Sequence, residues 1–272
     1  MRTSFRDRTV WVTGASSGIG EALAREFAAR GARLLLSGRK PLELERVRAT
    51  CAHVSKHACV PFDLSRVEDI PQTVEQTLQR FGPVDILVNN AGVGQRGLAL
   101  NTSLSVERAL LEIDYFAPVT LTKAVLPGMI ARKSGHVVVV SSVMGYVGTP
   151  GRSTYAAAKH ALHGYFDSLR AEVCGDGIQV TLACPGYVRT RIGVNALGPA
   201  GEVRAPTEAG PNRGITAERC ARGIVRGVAA GRREVYVGGP EVLGIYLQRL
   251  FPALFARVAR KMAAPATQKG GV

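Results

Sequence analysis

The sequence predicts an α/β protein built on a doubly wound parallel β-sheet of about seven strands flanked by helices. Seven short runs rich in Val, Ile and Leu lack polar alternation, which is typical of strands buried on both faces. Segments with helical periodicity separate most of these runs, and that alternation indicates a parallel sheet covered on both sides. A chain of 272 residues, 46% of them hydrophobic, can bury the core that one such domain needs.

The elements follow one another in order along the chain. The predicted strands are residues 9–13, 32–38, 58–63, 84–90, 136–142, 178–186 and 234–239. A helix is predicted after each of the first five strands, at residues 18–31, 41–51, 65–81, about 104–132 and from Ser153 onward. Because parallel sheets bind ligands at the carboxyl ends of their strands, the polar segments that follow these strands are expected to share one rim.

A long segment near the end of the predicted domain, residues 1–240, has weak periodicity. Residues 192–212 are rich in Gly, Pro and Ala, and long loops of this kind are usually lids or disordered segments. Because the segment follows a strand end on the predicted rim, we interpret residues 190–214 as a lid. Its apolar residues are candidates for contact with a ligand, namely Ile192, Val194, Ala196 and Leu197.

The last part of the chain, residues 241–272, predicts a basic amphipathic helix and tail. Its apolar residues recur at helical spacing, with four basic residues set among them: Arg249, Arg257, Arg260 and Lys261. Two interpretations stay open, packing on the domain and peripheral contact with a membrane surface.

Composition restricts the class of protein. The formal net charge is +14, but the arginines are scattered through helices without a basic block, so the sequence does not predict nucleic-acid binding. It predicts instead a mild preference for anionic ligands. The five cysteines form no CxxC pair, which favours reduced thiols and a cytoplasmic location. The apolar run at the start is too short for a secretion signal or a membrane span.

The segment TGASSGIG, residues 13–20, carries a phosphate-binding pattern. Its glycines follow a buried strand and open a helix, whose first N–H groups and positive dipole end suit a pyrophosphate. The predicted contacts are Gly14, Ser16, Ser17, Gly18, Ile19 and Gly20. The second strand ends in LLLSGRK with Arg39 and no acidic residue; an arginine there suits a ribose 2′-phosphate, so NADP(H) is expected rather than NAD(H).

The segment YAAAK places Tyr155 and Lys159 one turn apart on the same face of a helix. That face is the apolar stripe, because Leu162, Phe166 and Leu169 lie on it too. Lysine is almost never fully buried without a partner, so a polar group is expected to meet Lys159.

Together these motifs resemble the short-chain dehydrogenase/reductase family over residues 9–240. TGASSGIG fits the family's TGxxxGxG turn, NNAG at residues 89–92 its sheet-stabilising motif, YAAAK its YxxxK and PGYVRT its PGxVxT; Ser142 precedes Tyr155 by the usual thirteen residues. The lid and the LFPALFARVARKM tail resemble a branch often called dehydrogenase/reductase member seven. The resemblance implies a single-domain Rossmann-type fold and an NADP(H)-dependent oxidoreductase.

The resemblance also implies a mechanism. Reduction of a carbonyl needs a hydride at carbon and a proton at oxygen, and Tyr155 is the expected proton donor. A phenol ordinarily releases its proton near pH 10, but the Lys159 ammonium and the cationic nicotinamide both stabilise a phenolate. Lys159 is also expected to hold the cofactor ribose, which would supply its buried polar partners. Ser142 is expected to donate a hydrogen bond to the substrate oxygen.

One position departs from the family pattern. Asp114 stands where the family has a fourth catalytic residue, an asparagine that steadies a helix kink and holds a water through its carbonyl. Aspartate keeps an acceptor but loses the amide donor, and its charge is expected to compete for Lys159. This substitution motivates an alternative function, a nucleotide-binding sensor or scaffold without turnover.

The remaining assignments follow from the family's motifs. The resemblance implies further cofactor contacts beside Tyr155 and Lys159, at Asp63, Leu64, Asn90, Ala91, Gly92, Pro185, Gly186, Val188 and Thr190. No metal site is predicted, since His136, His160 and His163 lack metal-ligand spacing. The expected substrate is a mostly apolar carbonyl or alcohol, and a homodimer or homotetramer is expected through the helices that carry Asp114 and Tyr155.

Overall fold

The computed structural model describes residues 4–193, 195–203 and 214–267, with side chains described as far as residue 261. Nine strands lie within these residues: β1 Thr9–Thr13, β2 Arg33–Ser37, β3 Ala58–Cys59, β4 Ile86–Asn89, β5 Gly135–Val140, β6 Ile178–Pro185, β7 Val188–Arg189, β8 Ile215–Thr216 and β9 Glu234–Val237. Seven form one parallel sheet in the order β3-β2-β1-β4-β5-β6-β9, and β7 and β8 form a separate parallel pair. The predicted fold class and all seven predicted strands are confirmed.

The helices cover both faces of this sheet. They are α1 Gly18–Ala29, α2 Pro41–Thr50, α3 Ile70–Phe81, α4 Leu104–Leu111, α5 Ala117–Ala131, α6 Ser153–Glu172, α7 Ala217–Ala229, α8 Leu243–Leu250 and α9 Pro252–Thr267. Strand order reverses between β1 and β4: the chain runs outward to β3, returns beside β1 and then runs to the other edge. A reversal of this kind opens the crevice in which doubly wound sheets bind ligands.

Successive residues of each central strand enter two different cores. In β1, Val10 and Val12 pack with Phe27 of α1 and Ile224 of α7, whereas Trp11 packs on the opposite face with α3, α5 and α6. Both sets of side chains are buried. This two-sided burial is the physical reason why the strands read as continuous apolar runs.

Two features of the helices differ from the sequence-based predictions. The helix predicted over 104–132 is interrupted by a π-helical turn at Glu112–Phe116, between α4 and α5. Helix α7 was not predicted, although Thr216 caps it through a hydrogen bond from the Arg219 N–H and its apolar residues follow a 3.6-residue period. Beside α1, α7 completes one face of the sheet.

The C-terminal segment forms two helices rather than the single predicted one. Helix α8 ends at Leu250, Phe251 is not helical, and α9 begins at Pro252. The interruption occurs here because proline lacks the N–H that a continuous helix requires. Helix α8 packs on the domain through Ile245, which contacts Val143 and Val147. Across the described residues, we find no helix that combines the length and the apolar character needed to cross a bilayer. Residues 268–272 of the predicted tail lie outside the described residues.

The predicted lid is bonded to the loop that follows β4. The Leu197 N–H donates to the Gly94 carbonyl and the Arg96 N–H donates to the Leu197 carbonyl, both at 2.9 Å. Residue 194 and residues 204–213 of the predicted lid lie outside the described residues. The described part of the lid is therefore held by hydrogen bonds beside the loop at the carboxyl end of β4.

Candidate active site

The glycine-rich turn after β1 has a backbone that requires glycine. Gly14 and Gly18 have positive φ angles of 63° and 59°. A Cβ atom at Gly20 would overlap the Gly14 carbonyl oxygen and approach the Asn90 side chain. The turn is thus folded tightly against the loop after β4. The side chain of Ser17, at the N-cap of α1, caps none of the first N–H groups of the helix.

Thr13 and Asn90 hold the ends of β1 and β4 together. The Thr13 hydroxyl accepts hydrogen bonds from the N–H groups of Asn90 and Ala91, at 3.0 and 3.1 Å. The Asn90 side-chain amide donates in return to the carbonyls of Thr13 and Gly14. Asn90 therefore shapes the glycine-rich turn, and Thr13 is a site residue that the sequence analysis missed.

The segment after β6 faces the same turn. A Cβ atom at Gly18 would lie 3.2 Å from the Thr190 methyl group, so Thr190 stands directly opposite Gly18. Ser16, Ser17, Gly18 and Thr190 line part of a cleft of about 680 Å³. The uncapped N–H groups of the helix are donors for a pyrophosphate, and the glycines leave the space that it needs. These residues fit the dinucleotide that the sequence implies.

Glu241 fixes the start of that segment. One of its carboxylate oxygens accepts hydrogen bonds from the N–H groups of Tyr187 and Gly239, at 2.8 and 2.9 Å. Burial alone would raise the pKa of Glu241, but these N–H donors lower it below the ordinary value, so the carboxylate stays charged. A Cβ atom at Gly186 would overlap this carboxylate. Pro185 ends β6 and Val188 begins β7 on either side. No local pattern in the sequence indicates this role for Glu241.

The end of β2 meets the glycine-rich turn from the other side. Gly38 lies beside Ser16, and its carbonyl accepts a hydrogen bond from the Phe62 N–H at 3.2 Å, which brings Asp63 and Leu64 to this end of the cleft. Arg39 is exposed at this point. Arg46, which the sequence analysis missed, donates to the Ser16 carbonyl at 3.1 Å and pairs with Glu21 and Glu43.

Ser142 directly follows the end of β5, and Tyr155 and Lys159 lie in the first two turns of α6. The Ser142 hydroxyl accepts from the Met144 N–H at 3.1 Å, and the neighbouring Ser141 hydroxyl donates to the Lys159 carbonyl at 3.4 Å. This contact ties the serine segment to the helix. The Lys159 ammonium lies 5.5 Å from the centre of the Tyr155 ring. Tyr155 is half-buried and Lys159 is buried.

The buried partner of Lys159 within the chain is Asp114. The Lys159 ammonium lies 3.1 Å from one carboxylate oxygen, and the two side chains are 5% and 0% exposed. Asp114 thus supplies a buried polar partner for Lys159 besides the expected cofactor ribose, and the expected competition by Asp114 is present. Burial by itself lowers the pKa of Lys159, but the negative charge of Asp114 outweighs it and raises that pKa, which keeps the ammonium protonated.

Asp114 sits within the π-helical turn and reaches the loop after β4. Its other carboxylate oxygen accepts a hydrogen bond from the Val93 N–H at 2.7 Å, directly after Gly92. Burial raises the pKa of Asp114, and the Lys159 charge and the Val93 N–H oppose that rise. Single π-turns inside helices frequently occur at functional sites. Here the turn lets one buried carboxylate connect Val93 to Lys159.

A second polar cluster lies behind β5. His163, Asp167 and Glu234 bring potential ligand atoms within 4.8 Å of one another. Both carboxylate oxygens of Glu234, however, already accept hydrogen bonds from the hydroxyls of Tyr146 and Tyr236. His163 bonds the Ser141 hydroxyl at 3.0 Å. This cluster therefore ties β9 to α6 and to the serine segment.

The arrangement is suited to proton transfer beside a bound dinucleotide. A half-buried phenol stands next to a buried ammonium, and a serine hydroxyl lies at the adjacent strand end. A fixed cation beside a phenol favours the phenolate, so the phenol can give up and regain a proton. The glycine-rich turn and Thr190 provide the donors for phosphate on the neighbouring strands.

Comparisons with known proteins identify the same family. A family profile described as short chain dehydrogenase matches residues 8–197. The chain is 41% identical to "Dehydrogenase/reductase SDR family member 7B" of Danio rerio over 276 aligned positions, covering 98% of this chain and 89% of the relative.

Solved structures agree in fold. A short-chain dehydrogenase from Streptomyces avermitilis aligns with a TM-score of 0.80 and 30% identity, over 99% of this chain and 100% of that one. A metagenomic short-chain oxidoreductase in complex with NADP aligns with a TM-score of 0.69 and 30% identity, over 86% of this chain and 98% of that one. A family protein from Burkholderia phymatum in complex with NAD, 24% identical with a TM-score of 0.80 over 93% and 96%, shares the fold. The chain belongs to the short-chain dehydrogenase/reductase family, in the branch of the member-seven-like proteins.

Proposed function

We propose that this oxidoreductase uses NADP(H) and transfers a hydride between the nicotinamide and a carbonyl or secondary alcohol of a mostly apolar substrate. The observation that carries the proposal is the position of Tyr155, whose half-buried ring lies 5.5 Å from the buried Lys159 ammonium. A buried cation at that distance stabilises the phenolate relative to the neutral phenol.

In this reaction the chain's residues handle the proton and the substrate oxygen. When bound, the cofactor supplies the hydride donor or acceptor at its nicotinamide ring. Tyr155 gives its proton to the carbonyl oxygen during reduction and takes it back during oxidation. Ser142 donates a hydrogen bond to the same oxygen as negative charge develops there. Lys159 stabilises the phenolate, and Asp114 holds Lys159 and the Val93 segment in register.

The preference for NADP(H) over NAD(H) rests on the end of β2. Arg39 is exposed there, and the residues from Ser37 to Lys40 include no carboxylate that would hold a free ribose 2′-hydroxyl. A guanidinium in this place can bind a 2′-phosphate through two N–H groups. Of two solved structures with this fold, one contains NADP and the other NAD. Our choice of NADP(H) therefore depends on Arg39.

The decisive experiment compares the wild type with Tyr155→Phe. We expect NADPH oxidation with a panel of ketones and aldehydes to fall by a factor of about 10² or more, because a positioned acid contributes about 10²–10⁴-fold. NADPH fluorescence should show unchanged cofactor binding. Tyr246→Phe, at an exposed position on α8, is the matched control and should keep full activity.

The alternative is a nucleotide-binding sensor or scaffold without turnover. The observation that favours it is the buried Asp114–Lys159 pair, because the carboxylate partly neutralises the ammonium that stabilises a phenolate. Wild-type protein that binds NADPH but oxidises it with none of the panel carbonyls, in either direction, would establish this alternative and reject the oxidoreductase.

We further propose a cytoplasmic homodimer or homotetramer. All five cysteines are unpaired in the structure, which suits a reducing compartment. The helices expected at the subunit contact expose large apolar side chains, among them Leu104 on α4 and Phe116 in the π-turn. Light scattering of the wild type and of Phe116→Glu tests this assembly: the variant should be monomeric, and an unchanged mass would place the contact elsewhere.

A further inference from the structure

Arg152 lies beside Tyr155 and connects it to the segment that carries Arg96. The guanidinium carbon of Arg152, which lies at the start of α6, is 5.8 Å from the centre of the Tyr155 ring. Its Nη1 donates a hydrogen bond to the Gln95 carbonyl at 3.1 Å, so Arg152 is bonded to the residue immediately before Arg96. The positive charge of Arg96 also acts on Arg152. The Tyr155 ring therefore has the Lys159 ammonium and the Arg152 guanidinium within 6 Å, and Arg96 follows the residue to which Arg152 is bonded.

These arginines lack counter-charges within the part of the chain that the structure describes. No described carboxylate lies within ion-pair distance of Arg96 or Arg152. The Nε atom of Arg96 is buried and has no hydrogen-bond partner among the described residues. Arginines on the outer helices, such as Arg25 and Arg30, are paired with glutamates one turn away. A buried donor without a partner is costly, and a ligand oxygen would remove that cost.

The backbone holds both arginines in place without any ligand. Arg96 is fixed by its N–H bond to the Leu197 carbonyl, and Leu197 is bonded back to Gly94. Arg152 accepts the Ala156 N–H through its carbonyl in the first turn of α6. Burial lowers the pKa of Arg152, and the nearby charge of Arg96 lowers it further. Two like charges held this close repel each other, and an anion between them reverses that repulsion.

The cofactor's own phosphates belong elsewhere. The pyrophosphate donors are on the turn after β1, and Arg39 follows β2, whereas Arg96 follows β4 and Arg152 follows β5. Neighbouring strands lie about 4.8 Å apart, so the end of β2 is roughly 10 Å from the end of β4 and farther from the end of β5. The two arginines thus lie on the side of the substrate carbonyl.

We propose that Arg96 and Arg152 form an anion subsite that binds a carboxylate or phosphate of the substrate, a few bonds from the carbonyl that is reduced. This inference rests on the proposed function, and it narrows the substrate to an amphiphile: an apolar chain, a carbonyl and an anionic group. The two guanidinium forks match the paired oxygens of either anion. Arg96 acts as a specificity-determining residue, because its unbonded Nε is available to such a group.

Calorimetry on the NADP⁺-loaded protein tests the subsite without turnover. The probes share one alkyl ketone and differ in one group: a γ-oxo fatty acid, its methyl ester, the corresponding phosphooxy ketone and the unphosphorylated hydroxyketone. We expect at least one anion to bind tenfold or more tightly than its neutral counterpart, about 1.4 kcal/mol. Which anion binds more tightly distinguishes carboxylate from phosphate. Equal binding of each anion and its neutral counterpart, or no binding of any probe, would overturn the proposal.

Substitutions locate the effect. Arg96→Met should remove the preference for the anion, and Arg96→Lys should retain part of it. Arg152→Lys is the second variant, because it keeps a donor for the Gln95 carbonyl. Arg222→Met, at an exposed position on α7, is the matched control and should leave binding unchanged. If Arg96→Met binds the anion as the wild type does, the subsite is wrong even where the ketones are reduced. If the anion preference holds but no ketone is reduced, the proposed function fails and the subsite stands.

Discussion

The Lys159 ammonium lies 3.1 Å from the Asp114 carboxylate, and the second oxygen of that carboxylate accepts the Val93 N–H at 2.7 Å. One buried acid thus joins α6, the π-turn and the loop after β4. The family pattern has an asparagine at this position, which can keep the acceptor for Val93 but brings no charge. We expect the negative charge of Asp114 to increase the stability of the fold but not to increase the catalytic rate.

Asp114→Asn should lower stability and leave activity equal or higher. Breaking a buried ion pair leaves Lys159 without its counter-charge, which costs about 3–5 kcal/mol, measured by urea unfolding without cofactor. The unshared ammonium then stabilises the phenolate more strongly, so the pH profile of alcohol oxidation should move to lower pH. Asp114→Ala, which also loses the Val93 bond, should be both unstable and slow. A large loss of kcat in a folded Asp114→Asn protein would show that the aspartate has an active role of its own.

Arg39→Asp should exchange the cofactor preference. The carboxylate repels a 2′-phosphate and can accept the 2′-hydroxyl of NADH, so the KM for NADPH should rise at least tenfold and that for NADH should fall. Steady-state kinetics with each cofactor measure both constants. Arg222→Asp makes the same change of charge on α7 and should leave both constants unchanged. Wild-type protein that already prefers NADH would contradict the assignment of Arg39.

The fold and the candidate site could be predicted from the sequence because both have local signatures. Strands buried on both faces leave continuous apolar runs, and a Tyr–Lys pair on an apolar stripe identifies a polar site inside a helix. Helix α7 was missed although its signal is equally local: a threonine cap followed by Cys220, Ile224 and Val228 on one face.

Other site residues could not be found in this way, because their roles depend on contacts between distant segments. Glu241 holds Tyr187 across 54 positions of sequence, and Thr13 holds Asn90 across 77. Arg152 reaches the Gln95 carbonyl, next to Arg96, only because the loops after β4 and β5 share one rim. A single sequence shows which loops share a rim but not which side chains touch there.

Gly20→Ala should weaken cofactor binding. The new methyl group would overlap the Gly14 carbonyl oxygen, so the glycine-rich turn has to move away from its position opposite Thr190. We expect the Kd for NADPH to rise at least tenfold in fluorescence titration, with circular dichroism still typical of the α/β fold. Gly175→Ala, where a Cβ atom would meet no neighbour within 4 Å, is the control and should bind as the wild type does. Unchanged affinity in Gly20→Ala would show that the turn tolerates the displacement.

Stability should fall on mild acidification because burial lowers the pKa of three histidines, His57, His136 and His163. Burial lowers the pKa of His136 to about 4, and burial likewise lowers the pKa of His163 to about 4 despite the opposing charges of Asp167 and Glu234. An unfolded histidine titrates near 6.5, so between these values the unfolded chain binds protons that the folded chain does not. Stability is therefore fully present above about pH 7 and declines as the pH falls toward 4.

Urea unfolding between pH 7 and 5 measures this decline. His136 and His163 should each remove about 2 kcal/mol from the free energy of unfolding between pH 6.5 and 5, at about 1.4 kcal/mol per pH unit. His136→Gln should reduce the slope by the contribution of that one histidine, since glutamine does not titrate and can still bond the Thr181 hydroxyl. The exposed His160→Gln is the control. A slope that His136→Gln leaves unchanged would place the proton uptake in other groups.

The apolar face of α8 and α9 should bind anionic membranes. Leu250, Phe251 and Leu254 are 68%, 60% and 47% exposed, and the basic residues Arg257 and Arg260 follow on α9. An amphipathic face of this kind inserts its apolar side chains at the lipid surface, while each nearby basic residue adds about 1 kcal/mol of attraction to anionic lipid. Wild-type protein should therefore co-sediment with phosphatidylserine vesicles and be released by salt.

Leu254→Glu separates this contact from a contact between subunits. The variant should lose vesicle binding at least tenfold, because a carboxylate would have to enter the apolar layer of an anionic surface. Leu42→Glu, at an exposed position on α2, should bind vesicles as the wild type does. If the wild type does not bind vesicles, and Leu254→Glu instead lowers the mass measured by light scattering, the apolar face of α8 and α9 is a contact between two copies of the chain. In that case the basic residues of α9 do not bind anionic lipid, and the membrane contact is rejected.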